Sequence, residues 1–179
     1  MAAGEDPFVD YYARQTATPQ TLQHFVRLRD LLLLVLNRSS REKPVTVADL
    51  GCGAGTFSRI WDEAGCPVRG IESIPRVSDI ARVRTGGGDE TIDFSVGSAA
   101  ALPWSDASYD IVVMPEFLEH VPEWRRCLRE AARILRSVGI HCASTTNLFC
   151  PVRRECTLPL YSWYRAPLKR YCVGLALTR

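Results

Sequence analysis

Asp49, Glu72 and His120 are the side chains of this sequence with the most chemical potential, and the first two flank a turn of three glycines. Gly51, Gly53 and Gly55 follow Asp49 at every second position. Glycine accepts positive φ and carries no Cβ, so a ligand can lie against bare backbone there. Glu72 follows about 20 residues after the glycines, where a nucleotide-binding βαβ unit carries its ribose-binding acid. A carboxylate suits that task because it accepts from two neighbouring hydroxyls at once. The plainer account of Glu72 is a strand-end acid in solvent. His120 is placed where a histidine could act as a general base; the plainer account is a histidine that starts the next helix and packs locally. The dinucleotide pattern is Gly-x-Gly-x-x-Gly. Here the third glycine comes one residue early and Thr56 stands where the pattern wants it, which weighs against a nicotinamide-dependent oxidoreductase.

These residues need elements to hold them. Val45 and Val47 read as a strand feeding the turn, and Phe57, Ile60, Trp61 and Ala64 recur with helical spacing after it. Pro67 to Glu72 reads as a second strand, Pro75 to Val83 as a helix, and Thr85 to Asp89 as a loop. Ile92 to Val96 and Tyr109 to Met114 read as the third and fourth strands. Pro122 to Leu135 reads as a helix with Trp124, Cys127, Leu128, Ala131 and Leu135 on one stripe. Gly139 to Thr145 is expected as a fifth, buried strand carrying His141. Before them, Thr21 to Leu36 reads as a helix carrying His24. Alternating strands and helices imply a parallel sheet with helices on both faces.

Asp49-Leu50-Gly51-Cys52-Gly53-Ala54-Gly55 resembles the first motif of class I S-adenosylmethionine-dependent methyltransferases. Val96 to Pro103 resembles their adenine-binding turn. Tyr109 to Met114 resembles their fourth strand, and Pro115 to Val121 the loop after it in the small-molecule branch that includes ubiquinone-type methyltransferases. The resemblance covers roughly residues 45 to 150. It implies a Rossmann-like three-layer α/β/α sandwich and S-adenosylmethionine as cofactor, with S-adenosylhomocysteine as product. It places Asp49, Gly51, Cys52, Gly53 and Gly55 around the amino-acid part and ribose, with Asp49 orienting the turn or meeting the cofactor ammonium through water. Glu72, followed by Ser73, would hold the ribose hydroxyls, Ser98 and the Ala99 amide the adenine, and Pro115 and Glu116 the methionine part. Relatives carry an aspartate where Ser98 stands; a serine accepts the same hydrogen bond without charge. Leu102 and Trp104 are either walls of the adenine pocket or core residues.

Two departures from the family pattern stand out. The Leu-x-Pro-Gly-Gly turn before strand five is replaced by Leu135-Arg136-Ser137-Val138-Gly139, where Val138 is expected to strain the turn or to force another geometry. Few residues follow Cys150, so the closing strands of the sheet are expected to be incomplete, with Tyr171 to Thr178 supplying one.

Composition narrows the rest. The chain has 179 residues, 46% hydrophobic and 23% charged, as in an ordinary globular domain. Its seven cysteines are scattered, with no Cys-x-x-Cys pair, which points to neither a disulfide framework nor zinc and favours a reducing, cytoplasmic setting. No leader pattern opens the sequence, and the apolar run Leu31 to Leu36 is too short to span a bilayer. No His, Cys and carboxylate cluster has metal-ligand spacing. Three regions are expected: an N-terminal helical cap or lid at 1–44, the cofactor-binding core at 45–150, and a basic aromatic segment at 151–179. That last segment has six basic residues against Glu155, with Tyr161, Trp163, Tyr164 and Tyr171 among them. It reads as a solvated surface or as a contact with a membrane headgroup layer; nucleic acid is not expected. The function implied is methyl transfer to a small-molecule acceptor, at oxygen. The alternative is a catalytically inactive methyltransferase-like binding or regulatory protein.

Overall fold

The central strands carry apolar side chains on both faces, which is why they lie innermost. The computed structural model describes residues 17–37, 44–86 and 91–145. Strands β1 (Val47–Leu50), β2 (Val68–Glu72), β3 (Ile92–Val96), β4 (Tyr109–Met114) and β5 (Leu135–Ala143) form one sheet in the order β3-β2-β1-β4-β5. Every pairing is parallel. All residues of β1 and β4 are buried, as expected of parallel strands covered on both faces.

Helices α1 (Pro19–Asn37), α2 (Thr56–Asp62), α3 (Pro75–Arg84) and α4 (Trp124–Ile134) supply the covers. The pleat sorts the side chains. Val47, Val68, Ile111 and Val113 pack in one layer with Phe25, Leu32 and Leu36 of α1, Phe57, Ile60 and Trp61 of α2, and Ala81 of α3. Ala48, Leu50, Ile71, Val112 and Met114 face the other layer, with Cys127, Ala131 and Ile134 of α4. The result is a Rossmann-like three-layer α/β/α sandwich. The strand order runs outward from β1 to β3, then crosses back to β4 on the far side of β1. The crevice between β1 and β4 is therefore a topological switch point, where open α/β sheets bind their ligands.

The strand bounds expected for the third and fourth strands coincide with those observed. The region from Leu135 to Gly139 does not form a turn. β5 begins directly at Leu135, and its register against β4 jumps from Tyr109↔Leu135 to Ile111↔Ile140. This bulge leaves Val138 64% exposed instead of strained in a turn. It also swings Arg136 inward, where Nη1 donates to Asp110 Oδ2 at 2.7 Å. The same Asp110 oxygen accepts from the Thr46 backbone N–H at 2.9 Å and the Thr46 hydroxyl at 3.0 Å. Asp110 is buried, and although desolvation opposes it, these donors hold its carboxyl below the ordinary range. Gly139 is needed here: a Cβ on it would come within 2.8 Å of the Asp110 carbonyl oxygen.

Three further expectations are corrected. β5 is half-exposed along its length, and His141 lies at its surface, because β5 pairs only with β4 among the described residues. Trp124 opens α4 and is 39% exposed instead of joining the buried stripe. Ala64 lies past the end of α2 and is exposed, because the chain turns at Glu63 to Gly65. Residues 1–16 of the expected cap or lid, the basic aromatic segment with its membrane contact, and the closing strand at Tyr171 to Thr178 lie outside the described residues.

Candidate functional site

A cavity of about 210 Å³ opens at the carboxyl edge of the sheet. Each strand there contributes through the residues that end or follow it. Gly51 comes after β1, Glu72 and Ser73 from the end of β2, Gly97, Ser98 and Ala99 from the turn after β3, and Phe117 and His120 from the loop after β4. Because the sheet order is fixed, these groups lie in sequence across the edge: Ser98, then Glu72, then Gly51 and Phe117.

Glu72 is the anchor of this edge. Its Oε2 accepts from the Gly53 backbone N–H at 3.2 Å, and its Oε1 from the Ile74 N–H at 2.9 Å and the Ser73 hydroxyl at 3.1 Å. The carboxylate is thus oriented by the glycine turn on one side and by the start of α3 on the other. Gly51 and Gly53 take left-handed φ values of +72° and +54°. A Cβ on Gly53 would meet nothing within 4 Å, so its backbone is open to a ligand. At Gly51 a Cβ would run into the ring of Phe117. Gly55 is required for a different reason: a Cβ there would stand 3.0 Å from both Ala81 and the tip of the Phe94 ring. Its lack of a side chain serves the packing of α3 and β3 rather than a ligand.

Of the residues singled out in the sequence, Gly51, Glu72, Ser73, Ser98, Ala99 and His120 share this cavity, whereas Asp49, Cys52, Gly53, Gly55, Pro115 and Glu116 are not on its wall. Cys52 packs in the core layer, where burial pushes its thiol far up. Glu116 is exposed and holds φ of +49°, rare for a residue with a side chain, while its N–H donates to Ser144 Oγ at 2.9 Å. Leu102 and Trp104 belong to the core layer around Tyr109. Ser98 Oγ accepts the Ala100 N–H at 3.2 Å, which fixes the hydroxyl at the cavity rim. His120 ends a short 3₁₀ turn, Leu118–His120, instead of starting the next helix, and its N–H donates to the Phe117 carbonyl. Among the described residues, no group of three His, Cys, Asp or Glu side chains could hold a metal ion. No helix there is long and apolar enough to cross a membrane.

Asp49 lies beneath the turn, fully buried. Its Oδ2 accepts from the Ser58 hydroxyl at 2.6 Å, while its Oδ1 has no hydrogen-bond partner. Burial raises its carboxyl to about 7; the Ser58 bond opposes this and the nearby Glu72 charge adds to it. A raised value means that folding favours the protonated acid. Asp49's contribution is therefore whole below the ordinary carboxylate range and is lost as pH rises to about 7. One pKa unit corresponds to about 1.4 kcal/mol, so the loss is on the order of 4 kcal/mol at alkaline pH. Asp49→Asn keeps an acceptor for Ser58 without the charge. Between about pH 5 and pH 8 its melting temperature is expected to fall less than that of the unaltered protein. Parallel falls in thermal denaturation would refute this account.

Two contributions escaped the sequence. Phe117 stands in a recognised loop, but nothing local shows that its ring meets Gly51. The other is a clamp from α4 onto the segment after the Ser98 turn. Glu130 Oε2 accepts the Leu102 N–H at 2.8 Å, and Arg133 donates to the Trp104 carbonyl at 2.8 Å and the Leu102 carbonyl at 3.2 Å. Arg133 also pairs with Glu130 and holds that carboxyl down to about 2. A Glu three residues before an Arg on a helix was the available signal, but it reads as a surface pair.

Residues 48–143, just over half the chain, match the family model described as "Methyltransferase domain". Norajmaline N-methyltransferase of Rauvolfia serpentina is 32% identical over 96 residues, covering 52% of this chain and 33% of that protein. A ubiquinone biosynthesis O-methyltransferase of Xanthomonas axonopodis pv. citri is 33% identical over 112 residues, covering 61% of this chain and 47% of that protein. The chain thus spans between a third and a half of the length of these two curated relatives. Among solved structures, the PH0226 protein of Pyrococcus horikoshii superposes with a TM-score of 0.66 at 21% identity, covering 98% of this chain and 70% of that one, a likeness of fold.

Proposed function

Since the chain belongs to the methyltransferase-domain family, of the class I S-adenosylmethionine-dependent type, we propose that it transfers a methyl group from S-adenosylmethionine to an oxygen of a small-molecule acceptor. The observation that carries this reading is the meeting of Gly51, Glu72 and Ser98 on one cavity at the switch point. The residues fit the cofactor. Gly53 leaves open backbone beside the acid, the Glu72 carboxylate is pre-oriented by backbone donors, and Ser98 offers a hydroxyl one strand away.

When bound, the cofactor supplies a methyl carbon already activated by a sulfonium. What remains for the protein is alignment and removal of the acceptor's proton. Glu72 would accept from the ribose hydroxyls, Ser98 and the Ala99 amide would meet the adenine, and the bare backbone at Gly53 would leave room for the methionine part. His120, on the cavity wall, takes the proton of an acceptor hydroxyl. Transfer to oxygen is supported by the ubiquinone-type relatives; the Rauvolfia relative is named for nitrogen. The inactive, regulatory reading drew on the altered Leu135–Gly139 segment, on Ser98 and on the segment after Cys150. The first is a strand bulge and the second lies at the cavity rim, so neither favours it; the third lies outside the described residues. The four described cysteines are free thiols, which supports a reducing, cytoplasmic setting.

The test is calorimetric titration of the purified chain with S-adenosylmethionine, followed by an acceptor screen with a labelled methyl group. Saturable one-site binding and label recovered as a methyl ether are expected. A chain that binds no cofactor would overturn the reading, and label recovered only on nitrogen would overturn the choice of oxygen.

A further inference from the structure

Phe117 supplies an aromatic ring to the cavity wall. A Cβ built on Gly51 would lie 2.2 Å from Cδ2 and 2.7 Å from Cε2 of the ring. The ring therefore rests on the glycine backbone and can do so only because position 51 has no side chain. Among the described residues, the cavity wall carries a single carboxylate, Glu72, and one histidine, His120, but no lysine or arginine. That carboxylate already accepts three hydrogen bonds from Gly53, Ser73 and Ile74.

The order of the strands gives the ring its meaning, on the cofactor reading above. Ser98 follows β3, Glu72 ends β2, and Gly51 follows β1, with Phe117 arriving from β4 beyond it. With adenine at Ser98 and ribose at Glu72, the rest of the ligand runs on toward Gly51. The sulfur is bonded to the ribose 5′ carbon, two bonds from the sugar ring, so it is the first group to reach that side. An aromatic face attracts a cation through its quadrupole, most strongly where water is excluded.

We infer that Phe117 is a charge-selective wall of the cofactor site: its ring favours the sulfonium of the methyl donor over the neutral thioether of the spent product. The donor is held by the ring as a cation, and transfer of the methyl group removes that charge. The product then keeps its contacts to Ser98 and Glu72 and loses the attraction of Phe117, which aids its exchange for fresh donor.

Calorimetric titration of the full chain with S-adenosylmethionine and, separately, S-adenosylhomocysteine tests this. Phe117→Leu keeps apolar bulk over Gly51 without a π face. It is expected to weaken the donor relative to the product by about 3- to 30-fold, while Phe117→Tyr keeps the native ratio. Phe117→Met, which fills similar space, replaces the leucine variant if that one does not fold. Equal loss for both ligands in Phe117→Leu would reduce the ring to packing and overturn the inference, as would no change in either. Failure of the unaltered chain to bind either ligand would instead sink the cofactor reading, and this inference with it.

Discussion

Gly51→Ala is expected to lower the melting temperature and to abolish measurable binding of S-adenosylmethionine. Two costs combine. The backbone at 51 sits at φ +72°, where a residue with a Cβ costs roughly 1–2 kcal/mol. The new methyl group would also stand 2.2 Å from a ring carbon of Phe117, an overlap that side chain or backbone must relieve. Overpacking of this kind typically costs about 1–3 kcal/mol. The turn is held by N–H bonds from Gly51 and Cys52 to the Ile71 carbonyl, so it has little freedom to retreat. Displacement of the ring into the cavity would then obstruct the site from within. The double variant Gly51→Ala/Phe117→Ala separates the two costs. Measured against Phe117→Ala alone, the double variant is expected to lose only the backbone term, because the ring that the new methyl would overlap is gone. A single variant as stable as the unaltered protein would contradict the geometry described for this turn.

Glu72→Ala is expected to weaken S-adenosylmethionine by about 100-fold or more while changing stability little. The two hydrogen bonds proposed from the ribose hydroxyls have a charged acceptor, and each such bond is worth about 1.5–3 kcal/mol. The protein donors that Glu72 serves, Gly53 N–H, Ile74 N–H and the Ser73 hydroxyl, lie at a partly open cavity edge where water replaces the carboxylate. Binding should suffer far more than folding for that reason. Glu72→Gln retains one acceptor of the same shape and should fall between alanine and the native residue. Calorimetry of all three with matched thermal melts checks the order. An alanine variant that binds as tightly as the native chain would remove Glu72 from the cofactor site.

Much of the architecture was legible because it depends on local pattern. β1 and β4 are rich in apolar residues, each interrupted by a single aspartate, and strands buried on both faces read as mainly apolar. α3 begins with Pro75 at its first position, a residue already shaped for a helix start. The three alternating glycines specify a tight turn by themselves, because only glycine takes the left-handed φ of Gly51, Gly53 and Gly55 without cost. Where the reading failed, the cause was a partner far away in sequence. Leu135 to Gly139 looks like an altered turn, but Arg136 is drawn to Asp110 and Thr46, which stand 26 and 90 residues distant. Trp124 has the spacing of a core residue, but α4 is short and its stripe begins only at Cys127.

The sequence by itself determined the alternation of strands and helices, the glycine turn after the first strand, and an acid at the end of the second. These follow from side-chain period and from the steric freedom of glycine, which are properties of neighbours in the chain. Only the tertiary structure decided what each of those residues faces. It set Phe117 against Gly51, turned Gly55 toward Ala81 and Phe94, and sealed Asp49 beneath the turn with only Ser58 to meet it. Such contacts depend on strand order and register, which bring together segments tens of residues apart, and no local spacing encodes that choice.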